Sequence, residues 1–177
     1  MKTRKGAVKP VIKRELYMSR IRPFIGTELI KVMTGIRRCG KSVMLELVKQ
    51  ELTETGVDPS QFISINFEDM RYSHLQTAQA LHDEITARAA GIEGKVYLFF
   101  DEIQRYKEIV TRIKFLVEDQ RYRYILSGSL LGVEIVNLKS APVGYLKTLQ
   151  MYPLDFEEFL QLFQISDAVF EALRGAY

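Results

Sequence analysis

The stretch "LIKVMTGIRRCGKSVMLELVKQEL", Leu29 to Leu52, constrains the fold of this 177-residue chain more than any other segment. Leu29–Gly35 is a short apolar run with β-branched residues that stops at a glycine, which predicts a buried strand. From Lys41 to Leu52, the apolar Val43, Met44, Leu45, Leu47, Val48 and Leu52 recur at helical intervals, and Thr55–Gly56 closes the helix. A strand that feeds a helix through a glycine-bounded loop begins a crossover unit, and such units build parallel sheets.

The same alternation continues along the chain. Strands are predicted at Phe62–Glu68, Lys95–Gln104 and Tyr122–Ser129, and helices at Leu75–Ala90 and Ile109–Asp119. Gly144–Leu154 reads as a last extended segment, and Asp155 as the N-cap of a helix in "DFEEFLQLF". Before the first strand, Leu16, Ile21, Phe24 and Ile25 suit a short amphipathic helix that Pro23 kinks or ends. The fold class is therefore α/β, a parallel sheet sandwiched by helices, with one domain over residues 15–177. Phe156, Phe159, Leu160, Leu162 and Phe163 are predicted to form a core-facing apolar side. Tyr122 and Tyr124, alternating with Arg121 and Arg123, are predicted to lie on a strand with one wet face.

Composition excludes several classes. One cysteine, Cys39, rules out a disulfide framework within the chain, and two histidines make a structural zinc site a poor fit. No apolar run approaches the roughly 20 residues of a membrane-spanning helix. No apolar segment follows the basic start as it does in a secretory signal, so a cytoplasmic protein with no membrane partner is expected. Residues 1–14 hold Lys2, Arg4, Lys5, Lys9, Lys13 and Arg14 with no acid, so the rest of the chain is net negative despite the overall charge of +3. Such an arm can neutralise nucleic-acid phosphates, but it lacks interleaved aromatics, and a solvated terminus is the simpler reading.

Gly35-Ile36-Arg37-Arg38-Cys39-Gly40-Lys41-Ser42 matches G-x-x-x-x-G-K-[ST] between a predicted strand and a predicted helix. Glycines let the backbone curl so that successive N–H groups can face phosphate oxygens. Lys41 supplies a charge for the β- and γ-phosphates, the Ser42 hydroxyl can ligate Mg²⁺, and the helix dipole favours an anion. Cys39 reads as a small residue that fits the loop, since a redox role lacks a resolving partner. In "VYLFFDEIQ" an apolar strand delivers Asp101 to hold the Mg²⁺ shell and Glu102 to polarise a water for attack on the γ-phosphate. Ser127 and Ser129, at the end of "YRYILSGS", are candidates to touch the γ-phosphate or place that water, the alternative being a plain turn. The catalytic set is thus Glu102, Lys41, Ser129 and Ser127. The metal set is Ser42 and Asp101, and Gly35 through Ser42 hold the nucleotide.

Taken together, "LIKVMTGIRRCGKSVMLELV", "YLFFDEIQ", "YILSGSLLGVEI" and "YPLDFEEFL" resemble prokaryotic AAA+-type P-loop ATPases in which a C-terminal domain of unknown function follows the ATPase domain. The resemblance implies an ASCE-like P-loop NTPase sheet in which another strand separates the strand before the loop from the Asp-Glu strand. It also implies ATP with Mg²⁺ as the cofactors, Gly35–Ser42 as Walker A, Asp101 and Glu102 as Walker B, and Ser127 with Ser129 as the sensor region. Two departures stand out. Members carry a basic residue where Tyr145 stands here, with Lys147 nearby, which leaves open a supply of arginine in trans. They also continue into a lid and a C-terminal domain beyond "PLDFEEFL", so the chain reads as a truncated ATPase part whose own hydrolysis is slow.

The resemblance thus points to a Mg²⁺-dependent ATPase core coupled to a nucleic acid or protein partner, with a homo-oligomer open to it and Arg14–Tyr17 walling the base. A non-catalytic nucleotide-binding module, regulatory or DNA-associated, is the alternative. A small P-loop kinase is disfavoured by the adjacent Asp-Glu pair, which suits water as the nucleophile.

Overall fold

The strand predicted to end at Gly35 forms as β1 (Ile30–Gly35) and leads through a loop into α2 (Lys41–Glu54), which follows the short helix α1 (Glu15–Ile21). The computed structural model describes residues 11–105, 119–129, 146–163 and Gly175. Within them the chain continues through β2 (Phe62–Asn66), α3 (Ala78–Ala89), β3 (Val96–Asp101), β4 (Tyr122–Gly128), β5 (Leu146–Met151) and α4 (Phe156–Leu162). The expectations for residues 109–118 and for Tyr145 lie outside the described residues. Among the described residues no helix is long and apolar enough to cross a membrane.

Among the described residues, five strands run parallel in the order β2-β3-β4-β1-β5. The strand inserted between β1 and β3 is β4, and because all three run parallel, the loop after β1 and the Asp101–Glu102 pair at the end of β3 lie at the same end of the sheet. Each face of the sheet is buried. Ile30 and Val32 of β1 join Ile65, Leu98 and the α3 residues Leu81 and Ile85 on one side, while Met33 joins Met44 and Val48 of α2 and Tyr17 of α1 on the other. Central parallel strands buried in this way read as apolar runs rather than as alternations.

Local chemistry sets the element ends. Pro23 follows α1 in a 3-10 turn, and Gly56, at φ 95°, takes the chain out of α2 after the Thr55 C-cap. Thr77 caps α3 through its side chain. Asp155 caps α4 as expected, and with Glu158 it completes a capping box.

Three expectations are corrected. β4 has no wet face: Tyr122, Arg123 and Tyr124 are all buried, because the strand lies inside the sheet under helices on both sides. The Arg123 guanidinium is accommodated by donating to the carbonyls of Gly26, Gln120 and Tyr122. Of the apolar residues predicted to face the core from α4, Leu160 is buried, beside Glu158, while Phe156, Phe159 and the C-cap Phe163 are exposed, the last two with ring centroids 4.6 Å apart. Leu16 is exposed as well, and α1 instead packs through Tyr17, Met18 and Ile21.

Lys31 lies at the middle of β1 with no exposed surface, its Nζ donating to the Thr27 carbonyl at 2.5 Å. Burial, with the neighbouring Arg123 charge, pushes its ammonium down from the ordinary 10.5 to about 7. Below about pH 7 both the folded and unfolded chains carry the proton, and the burial cost is borne in full. Between about pH 7 and 10.5 the unfolded lysine holds a proton that the folded one has released, so stability rises with pH. Lys31→Met is therefore expected to melt above the wild type at pH 6, by on the order of a few kcal/mol. That gap should close toward pH 10, as read by calorimetric melting at the two pH values. An equal gap at both would show that the lysine's charge is not what burial penalises.

Candidate functional site

The loop from β1 to α2 is wound tightly. Gly35 has φ 150°, and a Cβ there would lie 2.3 Å from the Met151 carbonyl oxygen and 2.8 Å from Cys39 Sγ. Arg38 and Gly40 take positive φ values of 66° and 94°, and the Cys39 N–H donates to the Ile36 carbonyl at 3.3 Å. These left-handed residues curl the loop over the N-terminus of α2. Lys41 is 4% exposed, and its Nζ donates to the carbonyls of Gly35 at 3.3 Å and Ile36 at 3.1 Å. The ammonium thus sits within the curl of the loop. Ile36, Arg37, Arg38 and Ser42 are exposed, Cys39 is buried, and Arg37 approaches Glu68 at 3.9 Å.

Across the sheet edge, Asp101 is the last residue of β3 and is nearly buried. It accepts a hydrogen bond from Ser127 Oγ on β4 and one from the Glu102 N–H at 3.1 Å. Ser127 itself is fully buried. Glu102 is half-buried in a left-handed conformation, φ 54°, and accepts from Gln104 Nε2 at 2.5 Å. The same Nε2 lies 3.1 Å from Ser129 Oγ, and Gln104 Oε1 is buried with no hydrogen-bond partner among the described residues. A cleft of about 350 Å³ beside α2 is lined by Ser42, Glu46, Lys49, Asn66 and Asp101, among others.

The structure brings Gly35–Ser42, Asp101, Glu102, Ser127 and Ser129 to one end of the parallel sheet. Arg14 and Tyr17 are buried at 4% each with protein partners, so Arg14 does not share the solvated character expected of residues 1–14. Sequence reasoning missed Gln104 and Glu158, and it gave Arg14 a place in the wall of the base rather than a bond to the loop. Gln104 closes "DEIQ", two residues after Glu102, and that closeness was the available signal. Nothing in the sequence paired Arg14 with the loop or separated Glu158 from Glu157.

Hard oxygen donors are the set that Mg²⁺ favours. Ser42 and Asp101 both line this cleft, and their hydroxyl and carboxylate oxygens are donors of that kind, so their chemistry fits such an ion.

Comparison with known proteins follows the same lines. The AAA domain family model matches residues 27–160. An uncharacterised protein of Haemophilus influenzae is 32% identical over 158 residues, covering 86% of this chain but 38% of its own length. Among solved structures, closed-state Hsp104 with ATPγS and FITC casein superposes with TM-score 0.60 at 16% identity, over 91% of this chain and 30% of that one. The Aeropyrum pernix ORC2 protein in ADPNP-ADP complexes gives 0.59 at 9%, over 90% and 53%. The Thermotoga maritima RuvB Holliday junction branch migration motor gives 0.56 at 13%, over 92% and 55%. These structural likenesses carry the fold. The chain spans well under half of the curated relative and of Hsp104.

Proposed function

The chain belongs to the AAA domain family, and from that premise we propose that it binds ATP with Mg²⁺ at the β1–α2 loop, hydrolyses it slowly and couples turnover to a nucleic acid or protein partner. The observation that carries this reading is the meeting of the Gly35–Ser42 loop with Asp101 and Ser127 at one end of a single sheet, with Lys41 held inside the loop. Lys41 exchanges its two carbonyl partners for phosphate oxygens, which a charged donor binds more strongly. The loop N–H groups and the start of α2 add a field favourable to an anion. Ser42 and Asp101 would hold Mg²⁺, which supplies charge neutralisation at the β- and γ-phosphates.

Glu102 is the acceptor for the attacking water's proton, and Ser127 fixes the Asp101 carboxylate. Ser129 is the remaining polar group near the γ-phosphate position. Asp101, Glu102 and the loop are the centre of the proposed ATPase domain over residues 15–177. A cytoplasmic setting and self-association are part of the same proposal.

The contact between Glu102 and Gln104 favours a second reading, a nucleotide-responsive module without turnover, because a carboxylate that accepts from Gln104 is less free to accept from water. Phosphate release separates the two. Glu102→Gln is expected to keep ATP affinity within about threefold and to lose turnover by roughly 100-fold, as a general base contributes about 10²–10⁴. Wild-type release no faster than in Glu102→Gln would select the module instead.

A further inference from the structure

We propose that Arg14 is the positioning residue of the β1–α2 loop, setting the direction of the Cys39–Gly40 peptide and tying it to the β5–α4 segment. The inference rests on the reading that this loop receives phosphates. Arg14 precedes α1 in a left-handed conformation, φ 43° and ψ 52°, and its side chain is 3% exposed. Its guanidinium uses all three nitrogens. Nε and Nη2 donate to the two Glu158 oxygens, each at 2.8 Å, in the paired geometry that suits a carboxylate. Nη1 donates to the Cys39 carbonyl at 2.7 Å, and Nη2 also reaches the carbonyls of Tyr152 at 3.0 Å and Pro153 at 3.3 Å. The Tyr17 ring lies against the guanidinium at 4.4 Å, and the Tyr17 hydroxyl accepts from the Tyr152 N–H.

The contact with Cys39 has a directional consequence. A trans peptide is planar, so its C=O and N–H point to opposite sides, and the described chain has no cis peptide. Holding the Cys39 oxygen toward Arg14 turns the Gly40 N–H away from it. Gly40 is the last residue before α2, and its N–H is among the donors that such a loop offers an anion. At Gly40 it is the φ of 94° that calls for glycine, since a Cβ there would meet Arg14 Nη1 at 3.4 Å, an ordinary contact.

Glu158 in turn is fixed by the α4 capping box, accepting from the Asp155 N–H at 3.2 Å while its own N–H donates to Asp155 at 2.8 Å. Glu158 raises the arginine's affinity for its proton against the opposing effect of burial, so the charge persists across the working pH range. Arg14 therefore joins three segments distant in sequence, and its one contact inside the candidate site is a loop carbonyl. It acts on nucleotide through the loop, with no contact to phosphate of its own.

The test measures inorganic tripolyphosphate and ATP with Mg²⁺ by calorimetric titration on wild type, Lys41→Ala, Arg14→Gln and Arg14→Lys, well below each melting temperature. Tripolyphosphate reads the loop without the base. Arg14→Gln is expected to weaken both ligands by the same factor, about tenfold or more, whereas a merely structural arginine would lower the melting point and leave affinity in the folded state unchanged. If Arg14→Gln does not fold, Arg14→Lys decides: it keeps the charge and stem but loses the fork that spans Glu158 and Cys39, and a several-fold loss is expected. A folded Arg14 variant that binds tripolyphosphate within twofold of wild type overturns the positioning role while Lys41→Ala still loses binding. Failure of the wild type to bind either ligand removes the nucleotide reading and this inference with it.

Discussion

Lys41→Ala should lower the affinity for ATP with Mg²⁺ by roughly 100-fold or more while the chain keeps a cooperative melt. The ammonium is buried inside the loop, where it now bonds two backbone carbonyls at 3.1 and 3.3 Å. With phosphates present those bonds give way to bonds between the ammonium and anionic oxygens, each worth about 1.5–3 kcal/mol, and losing two such bonds amounts to roughly two to four decades in affinity. The fold cost is far smaller, because what remains is two carbonyls at the mouth of a loop, each about 1 kcal/mol if left dry. Titration and thermal melting on the same sample separate the two effects. An affinity within fivefold of wild type would mean that the β1–α2 loop does not hold the triphosphate.

Gly35→Ala should cost both stability and binding, and here the cause is backbone geometry. At φ 150° an added Cβ meets the Met151 carbonyl oxygen at 2.3 Å, and that oxygen belongs to β5, which pairs with β1 along its whole length. Neither strand can withdraw without giving up ladder hydrogen bonds, so the loop must deform. A destabilisation of about 3 kcal/mol or more is expected, which lowers the melting temperature by roughly 6–12 °C in a domain of this size. Nucleotide affinity should fall with it, since Gly35 also supplies a carbonyl partner of Lys41. Gly26→Ala is the control: a Cβ there meets nothing within 4 Å, so melting should move by less than about 2 °C. Equal small shifts for the two substitutions would show that the close approach at Gly35 is not a constraint.

Much of this was legible in the sequence because the elements next to the site carry local signals. A β-branched run ended by glycine, a lysine opening an apolar helical pattern, and an apolar strand delivering two acids each work within a dozen residues, and all three formed where expected. The position of β4 between β1 and β3 came from family resemblance and agrees with the sheet, but no periodicity in the chain states a strand order. The face of β4 was misread for a physical reason. Alternating Tyr and Arg looks like a half-wet strand, yet Arg123 is buried and satisfied by carbonyls of Gly26 and Gln120, contacts that no local pattern records. The Phe-rich side of α4 was misread similarly, since spacing identifies a face without saying what it packs against. Arg14 and Glu158, 144 residues apart, are invisible to any window-based reading. Gln104 shows the opposite limit: it lies beside Glu102 in the chain, but only the fold reveals that one amide nitrogen reaches both Glu102 and Ser129.

The most direct experiment is calorimetric titration of the wild-type chain with ATP, in Mg²⁺ and again in excess EDTA, on protein verified as folded by its cooperative melt. Saturable one-to-one binding that is competed by ADP and weakened by EDTA is the predicted outcome, and it would make the β1–α2 loop with Ser42 and Asp101 a nucleotide–Mg²⁺ site. A folded chain that gives no binding heat and no thermal shift at millimolar ATP would contradict it.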